Sequence, residues 1–211
     1  MATMCDEAAD ILALADWRRR MSELYATVRG LAAVDVASAL ALWRGVREDL
    51  YREHPQSPVP RDRRPDFRAL HFPHDPNLRF EVGVVADVAP ALELPISTGG
   101  EIALRRIGWV DVPFPGGSRR LALYWMEGYA GGLFLPFRDA TNGVETYGAG
   151  RYLLDAAKSA DLGGDAAGGT LVLDFNFAYQ PSCAFDPRWA CPLAPPENRL
   201  DIPIHAGERI G

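Results

Sequence analysis

The sequence lacks any stretch of about 18 consecutive apolar residues, which argues against a membrane-spanning helix. It also lacks an excess of positive charge. Its formal net charge of −6 argues against a nucleic-acid groove, which requires a basic face. The N-terminal stretch has neither the basic nor the apolar segment of a signal peptide, so we expect a cytoplasmic protein.

Cysteine is scarce, and the three cysteines are too few for a disulfide scaffold. We interpret Cys5 as incidental. Cys183 and Cys191 leave four interpretations open: a disulfide, a zinc site completed by His71 or His205, a nucleophilic thiol, or inert packed thiols. His71 and His74 form a His-x-x-His pair without a third nearby ligand, so we predict no metal site, and the sequence identifies no cofactor.

The chain divides into three segments by composition. Two amphipathic helices, predicted at about 8–29 and 35–54, make residues 1–54 a helical appendage, with Asp35 as N-cap of the second. Trp17 and Trp43 lie on their apolar stripes, where we expect core or dimer-interface packing. Residues 55–76 form a Pro-rich connector, and residues 77–211 form the third segment.

The third segment has a period of two, which is typical of strands. Pro115-Gly116-Gly117-Ser118 predicts a turn between an extended stretch 101–112 and a returning central strand 119–126. Further strands are predicted at 131–137, 145–154, 170–178 and 200–204, and residues 156–169 are expected to form a surface loop. Short antiparallel strands predict an α+β, mainly β, protein: an antiparallel barrel or sandwich with an N-terminal helix pair.

Three long phrases carry a family resemblance. LFLPFRDATNGVETYGAGRYLLD, LVLDFNFAYQPSCAF and CPLAPPENRLDIPIHAGER resemble the DUF1684 family of bacterial and archaeal proteins. The likeness extends back through WRGVREDLYREHPQSPV and so covers about residues 42–209 as one unit. The resemblance implies no activity, because the family is one of unknown function.

Polar residues among aromatics mark the candidate site. Alternation along 171–177 places Asp174 and Asn176 on one face, as part of a site or as a brace for loop backbone. Arg151 is a candidate anchor for an anionic group, with a structural ion pair to Asp139, Asp155 or Asp174 as the alternative. The candidate catalytic residues are Asp174, Cys183 and Glu197; the candidate ligand-binding residues are Asn142, Tyr147, Arg151, Asn176, Tyr179 and Asn198.

Two hypotheses follow from these residues. In the first, the protein binds a small molecule, with an anion as one candidate, in a polar and aromatic pocket of a β-barrel, and enzymatic activity stays open. In the second, it is a non-catalytic interaction module. The N-terminal helices then form a homodimer, and the polar residues brace loops.

Overall fold

A computed structural model describes residues 4–129 and 131–210, and side chains from residue 7 onward, so the side chain of Cys5 lies outside the described part. The described residues form two helices, α1 (Met4–Ala32) and α2 (Val36–Glu53), followed by nine strands: β1 (Leu70–His71), β2 (Arg79–Ala86), β3 (Leu92–Pro95), β4 (Glu101–Phe114), β5 (Gly117–Met126), β6 (Gly132–Phe137), β7 (Arg151–Asp155), β8 (Thr170–Asp174) and β9 (Glu208–Arg209). Neither described helix is both long and apolar enough to cross a bilayer.

The predicted helix pair is present. Asp35 is the N-cap of α2, and its Oδ1 accepts a hydrogen bond from the backbone N–H of Ser38 at 3.1 Å. Helix α1 continues to Ala32, past its predicted end at about residue 29, because its last turn buries Ala32 against the core.

The two helical tryptophans are buried inside the chain's own core. Trp17 is 6% exposed and Trp43 is fully buried. The indole N–H of Trp43 donates to the hydroxyl of Tyr25 on α1 at 3.1 Å, which satisfies its donor. These two tryptophans are therefore covered without a second copy of the chain.

The hairpin of β4 and β5 is the centre of the sheet. Gly116 and Gly117 adopt φ angles of 91° and 130°, so the turn falls where the Pro-Gly-Gly-Ser signal predicts it. Residues 121–124 of β5 are buried on both faces of the sheet, which agrees with the prediction of a central strand. Leu121 and Leu123 join one apolar cluster, and Ala122 and Tyr124 join the other, which contains the helices.

The larger sheet is a curled half-barrel of antiparallel strands, in the order β7-β6-β5-β4-β2-β8, with β3 beside β4. Strand β2 makes the curl, because its first half pairs with β8 and its last three residues pair with β4. Backbone hydrogen bonds of 2.9 and 3.1 Å between Tyr152 and Tyr179 draw the two ends of the sheet together.

Three predicted strands differ from the structure. The strand expected at 170–178 ends at Asp174, whose side chain caps a 3-10 helix at Phe175–Phe177. The strand expected at 145–154 begins only at Arg151, after a turn in which Gly150 has a φ of 106°. Residues 200–204 form no strand, because Leu200 and Ile204 instead insert into the second apolar cluster as irregular chain.

Candidate ligand-binding cleft

Asp174 and Asn176 bind the chain's own backbone. Oδ1 of Asp174 accepts from the backbone N–H and the Nδ2 of Asn176, at 3.0 and 2.8 Å. Asn176 accepts from the N–H of Asp75 at 2.9 Å and donates to its carbonyl oxygen at 2.8 Å. Burial raises the pKa of Asp174, and Arg79 approaches its Oδ2 to 3.5 Å without hydrogen-bonding geometry. The pair thus holds the loop at Asp75.

Arg151 is fully buried and holds the C-terminal segment. Its Nη2 donates to Oδ2 of Asp139 at 2.9 Å and to the carbonyl oxygen of Ile204 at 2.8 Å. Its Nη1 donates to the carbonyl oxygens of Ala206 and Glu208. Only Nε has no hydrogen-bond partner, so the two atoms that form a guanidinium fork are engaged within the protein.

Asn142 and Asn198 also bind backbone. Oδ1 of Asn142 accepts from the N–H of Asp139 at 2.7 Å, and its Nδ2 donates to the carbonyl oxygen of Tyr147 at 3.0 Å. Asn198 is fully buried and joins β5 to β6. It accepts from the N–H of Ala122 at 2.7 Å and donates to the carbonyl oxygens of Ala122 and Pro136 at 2.9 and 2.8 Å.

Glu197 and Tyr179 each take part in a hydrogen bond between a tyrosine hydroxyl and a carboxylate, and the two bonds lie in different parts of the protein. Glu197 is exposed and accepts from the hydroxyl of Tyr124 at 2.5 Å. Tyr179 is buried, and its hydroxyl donates to Oδ2 of Asp155 at 2.7 Å. The structure therefore distributes the predicted site residues over several separate hydrogen-bond networks.

A cleft of about 300 Å³ lies between α1 and the open side of the half-barrel. None of the six candidate ligand-binding residues named above lines it. Its walls are mainly apolar and come from distant parts of the chain: Leu14, Trp17, Ile102, Met126, Phe134, Tyr152, Trp189 and Pro192. We call this space the α1 cleft. Apolar walls with a few polar groups are the usual composition of small-molecule sites.

Lys158 is the single lysine of the chain and lies half-buried in the α1 cleft. Its Nζ is 3.0 Å from Oγ of Ser182 and 5.4 Å from the centre of the Tyr179 ring. Among the described side chains, no carboxylate oxygen lies within 4.0 Å of this ammonium. The cleft therefore contains a cation without a charged partner in the part of the chain that is described.

Two further charged side chains line the α1 cleft. Arg18 lies at its rim, and no carboxylate is within 4.0 Å of it among the described side chains. Asp155 is 3% exposed, and its oxygens accept hydrogen bonds from the hydroxyl of Tyr179 and the N–H of Ala157 at 2.7 and 3.0 Å. The exposed charge at the cleft is therefore positive.

A larger groove of about 580 Å³ runs between α1 and α2. It is open, and charged side chains of both signs line it, among them Arg20, Glu23, Asp49 and Glu53. This mixture selects no class of ligand. We therefore regard the smaller α1 cleft as the candidate site.

Apart from Trp17 and Cys191, the sequence does not single out the residues that line the α1 cleft. The sequence predicts a surface loop at 156–169, whereas Ala156–Lys158 is a 3-10 helix that carries Lys158 into the cleft. The available signal was compositional. Lys158 is the one lysine among 22 basic residues, and the others are arginines. Nothing in the sequence pattern connects it with Ser182 or Trp17.

Cys183 and Cys191 meet beside the cleft as free thiols. The backbone N–H of Cys183 donates to Sγ of Cys191 at 3.3 Å. The neighbouring Cys191 lowers the pKa of the Cys183 thiol, and Ser97 and Tyr147 act in the same direction against the effect of burial. Of the candidate residues, Cys183 and Tyr147 are thus brought together, and Cys191 lines the cleft.

His71 is half-buried and its ring packs edge-on against Trp43 at 5.7 Å. Among the described residues, no group of three or more His, Cys, Asp or Glu side chains is arranged to hold a metal ion. Burial lowers the pKa of His71 to about 4, and the positive charges of Arg44 and Arg47 act in the same direction, against the opposing charge of Glu208.

This shift predicts an acid-dependent loss of stability. Because the unfolded chain binds the His71 proton more readily, the stabilising contribution is complete above the unfolded pKa of about 6.5 and is lost as the pH falls toward about 4. We expect His71→Phe to reduce the acid loss of unfolding free energy by about 2 kcal/mol in urea titrations. The exposed His74→Gln should leave the loss unchanged, and equal loss in all three proteins would contradict the prediction.

Comparisons with known proteins agree with the class of fold: two N-terminal helices followed by a curled antiparallel half-barrel. The sequence model described as "Protein of unknown function (DUF1684)" matches residues 66–209. The chain therefore belongs to the DUF1684 family, as its motifs indicated. No curated protein matches it.

A solved structure shows the same fold. The solution NMR structure of an uncharacterized protein of Haloarcula marismortui is similar, with a TM-score of 0.61 and 31% sequence identity. The match covers 83% of this chain and 95% of that chain.

Proposed function

We propose that this protein binds a small amphipathic anion in the α1 cleft. A carboxylate head would lie at Lys158, and an apolar tail would cover Trp17 and Phe134. The observation that carries the proposal is the half-buried ammonium of Lys158, with no described carboxylate within 4.0 Å. Ionic groups that lose contact with water are normally paired or hydrogen-bonded to ionised partners.

The shape and chemistry of the cleft support this class of ligand. Its volume of about 300 Å³ is at the lower end of the range for ligand pockets. Its aromatic and aliphatic walls favour a hydrocarbon tail, and Arg18 at the rim adds a second positive charge. The chemistry therefore suits a carboxylate with a short aliphatic chain better than a sugar or a nucleotide.

We propose binding rather than catalysis because the candidate catalytic residues do not share the cleft. Asp174 caps a 3-10 helix, and Glu197 is exposed beside Tyr124. Cys183 lies beside the cleft, but no histidine is among the residues that line it.

The alternative is a non-catalytic homodimer through α1. Ile11 and Leu12 favour it, because they are 62% and 70% exposed on that helix. The residues that first suggested it, Trp17 and Trp43, are buried in the chain's own core. A protein at twice the chain's mass in light scattering that binds no carboxylate would favour this alternative.

Octanoate binding tests the proposal. We expect isothermal titration calorimetry to detect octanoate binding to the wild-type protein, and Lys158→Met to weaken it by about tenfold or more. A hydrogen bond to a charged group contributes about 1.5–3 kcal/mol, and 1.4 kcal/mol corresponds to tenfold.

Two controls separate the charge from the apolar walls. Arg19→Met removes a nearby positive charge that pairs with Asp16 and does not line the cleft, so it should leave octanoate affinity unchanged. Octanol, which lacks the carboxylate, should bind Lys158→Met and wild type equally. If Lys158→Met binds octanoate as tightly as wild type does, the proposed role of Lys158 is wrong.

A further inference from the structure

The segment that carries Cys183 and Cys191 is folded so that the two cysteines meet. Cys183 lies in the 3-10 helix Ser182–Ala184, and the chain then returns to place Sγ of Cys191 against the Cys183 N–H. Ser97 fixes the returning chain: its N–H donates to the carbonyl oxygen of Cys191 at 2.9 Å, and its Oγ accepts from the Cys191 N–H at 3.0 Å.

The pKa values of the two thiols are shifted in opposite directions. The neighbouring Cys191 lowers the pKa of Cys183, and the contact with Cys183 together with burial raises the pKa of Cys191. The positive charge of Lys158 acts in the opposite direction and lowers the pKa of Cys191. Burial raises the pKa of Tyr147 to about 12 and raises the pKa of Tyr152 well above its usual value, so both phenols stay neutral. A thiolate beside a thiol is the arrangement in which dithiol oxidation proceeds.

The α1 cleft gives small molecules a route to the pair. Ser182, Ala190 and Cys191 line it, although each cysteine is less than a tenth exposed as a whole residue. A molecule as small as hydrogen peroxide can therefore approach the pair from the side of Cys191.

We propose that Cys183 and Cys191 form a hydroperoxide-reactive dithiol that closes to an intramolecular disulfide. The Cys183 thiolate attacks one peroxide oxygen, the O–O bond breaks, and the departing hydroxide takes up a proton to form water. Cys183 is then a sulfenic acid. The sulfur of Cys191 attacks it, the S–S bond forms, the S–O bond breaks, and the second hydroxide takes the Cys191 proton. Two thiols are oxidised and one peroxide is reduced to two waters.

Intact mass and peptide mapping test the proposal. The experiment uses the full chain with Cys5→Ser, so that only the two cysteines of interest remain. Treatment with equimolar hydrogen peroxide should remove two hydrogens from the mass, and dithiothreitol should restore them. Trypsin cleaves after Lys158, Arg188 and Arg199 and so separates the cysteines, and the disulfide should appear as residues 159–188 joined to residues 189–199.

Single substitutions assign the roles in the same background. Cys191→Ser should stop at the sulfenic acid of Cys183, which dimedone traps as an adduct on residues 159–188. Cys183→Ser should react at least about tenfold more slowly, because it removes the low-pKa thiolate. Unchanged mass after peroxide, a disulfide only between two chains, or equal rates for Cys183→Ser and its parent would overturn the proposal.

Discussion

Replacement of Arg151 by methionine is expected to lower the free energy of unfolding by about 3–5 kcal/mol, measured by urea denaturation. The substitution leaves the buried carboxylate of Asp139 without its cation and the carbonyl oxygens of Ile204 and Ala206 without a donor. Breaking a buried pair by removing one partner is costly, because the remaining charge stays out of water.

Two comparisons separate this cost from a general effect of losing an arginine. Arg120 forms an ion pair with Asp111 at 2.7 Å, but both side chains are about half exposed, so Arg120→Met should leave the unfolding midpoint nearly unchanged. Arg151→Lys keeps the positive charge but loses the planar pair of guanidinium donors. Its free energy of unfolding should lie between those of wild type and Arg151→Met. Equal stability of Arg151→Met and Arg120→Met would show that Arg151 does not hold the C-terminal segment.

Asn198→Asp is expected to be nearly as damaging, with a loss of about 3–5 kcal/mol, although it replaces one nitrogen by one oxygen. The nitrogen of Asn198 donates to the carbonyl oxygens of Ala122 and Pro136. A carboxylate there would place an oxygen, which can only accept hydrogen bonds, against these two carbonyl oxygens in a fully buried position. Protonation would restore one donor, so the loss relative to wild type should be smaller near pH 5 than near pH 8.

The neighbouring Glu197 provides the matched control. Glu197→Gln is the opposite exchange of one atom, and its remaining oxygen can still accept from the hydroxyl of Tyr124. It should cost little, because the side chain is exposed. If Asn198→Asp unfolds at the same urea concentration as Glu197→Gln at both pH values, the three backbone bonds of Asn198 contribute little to stability.

Much of the fold could be predicted because its signals are local. The N-cap at Asp35 and the turn at Gly116 and Gly117 depend on neighbouring residues, and the structure contains both. The end of β8 could not be predicted from alternation. Residues 171–177 keep a period of two in their apolar pattern. The local hydrogen bond from the Asn176 N–H to the Asp174 side chain nevertheless folds Phe175–Phe177 into a 3-10 helix.

The candidate site was harder to predict, for a physical reason. Alternation shows which side chains share a face, but it does not show where unpaired backbone groups lie. Asn176 and Asn198 therefore looked like ligand-binding residues, whereas the structure has them bound to backbone at Asp75 and Ala122. The α1 cleft depends on contacts between residues as distant as Trp17 and Lys158, which no local pattern encodes.

Two buried arginines, Arg47 and Arg151, bind residues between 204 and 208, and this affects synthesis on the ribosome. Arg47 on α2 binds Glu208 at 2.6 Å, and Arg151 on β7 binds the carbonyl oxygens of Ile204, Ala206 and Glu208. A nascent chain lacking residues 204–209 would thus hold two arginines in an apolar core without their acceptors. We expect the helices and hairpins to form early while the domain stays open to proteases until these residues emerge, so that a chain ending before residue 204 is degraded rather than accumulated.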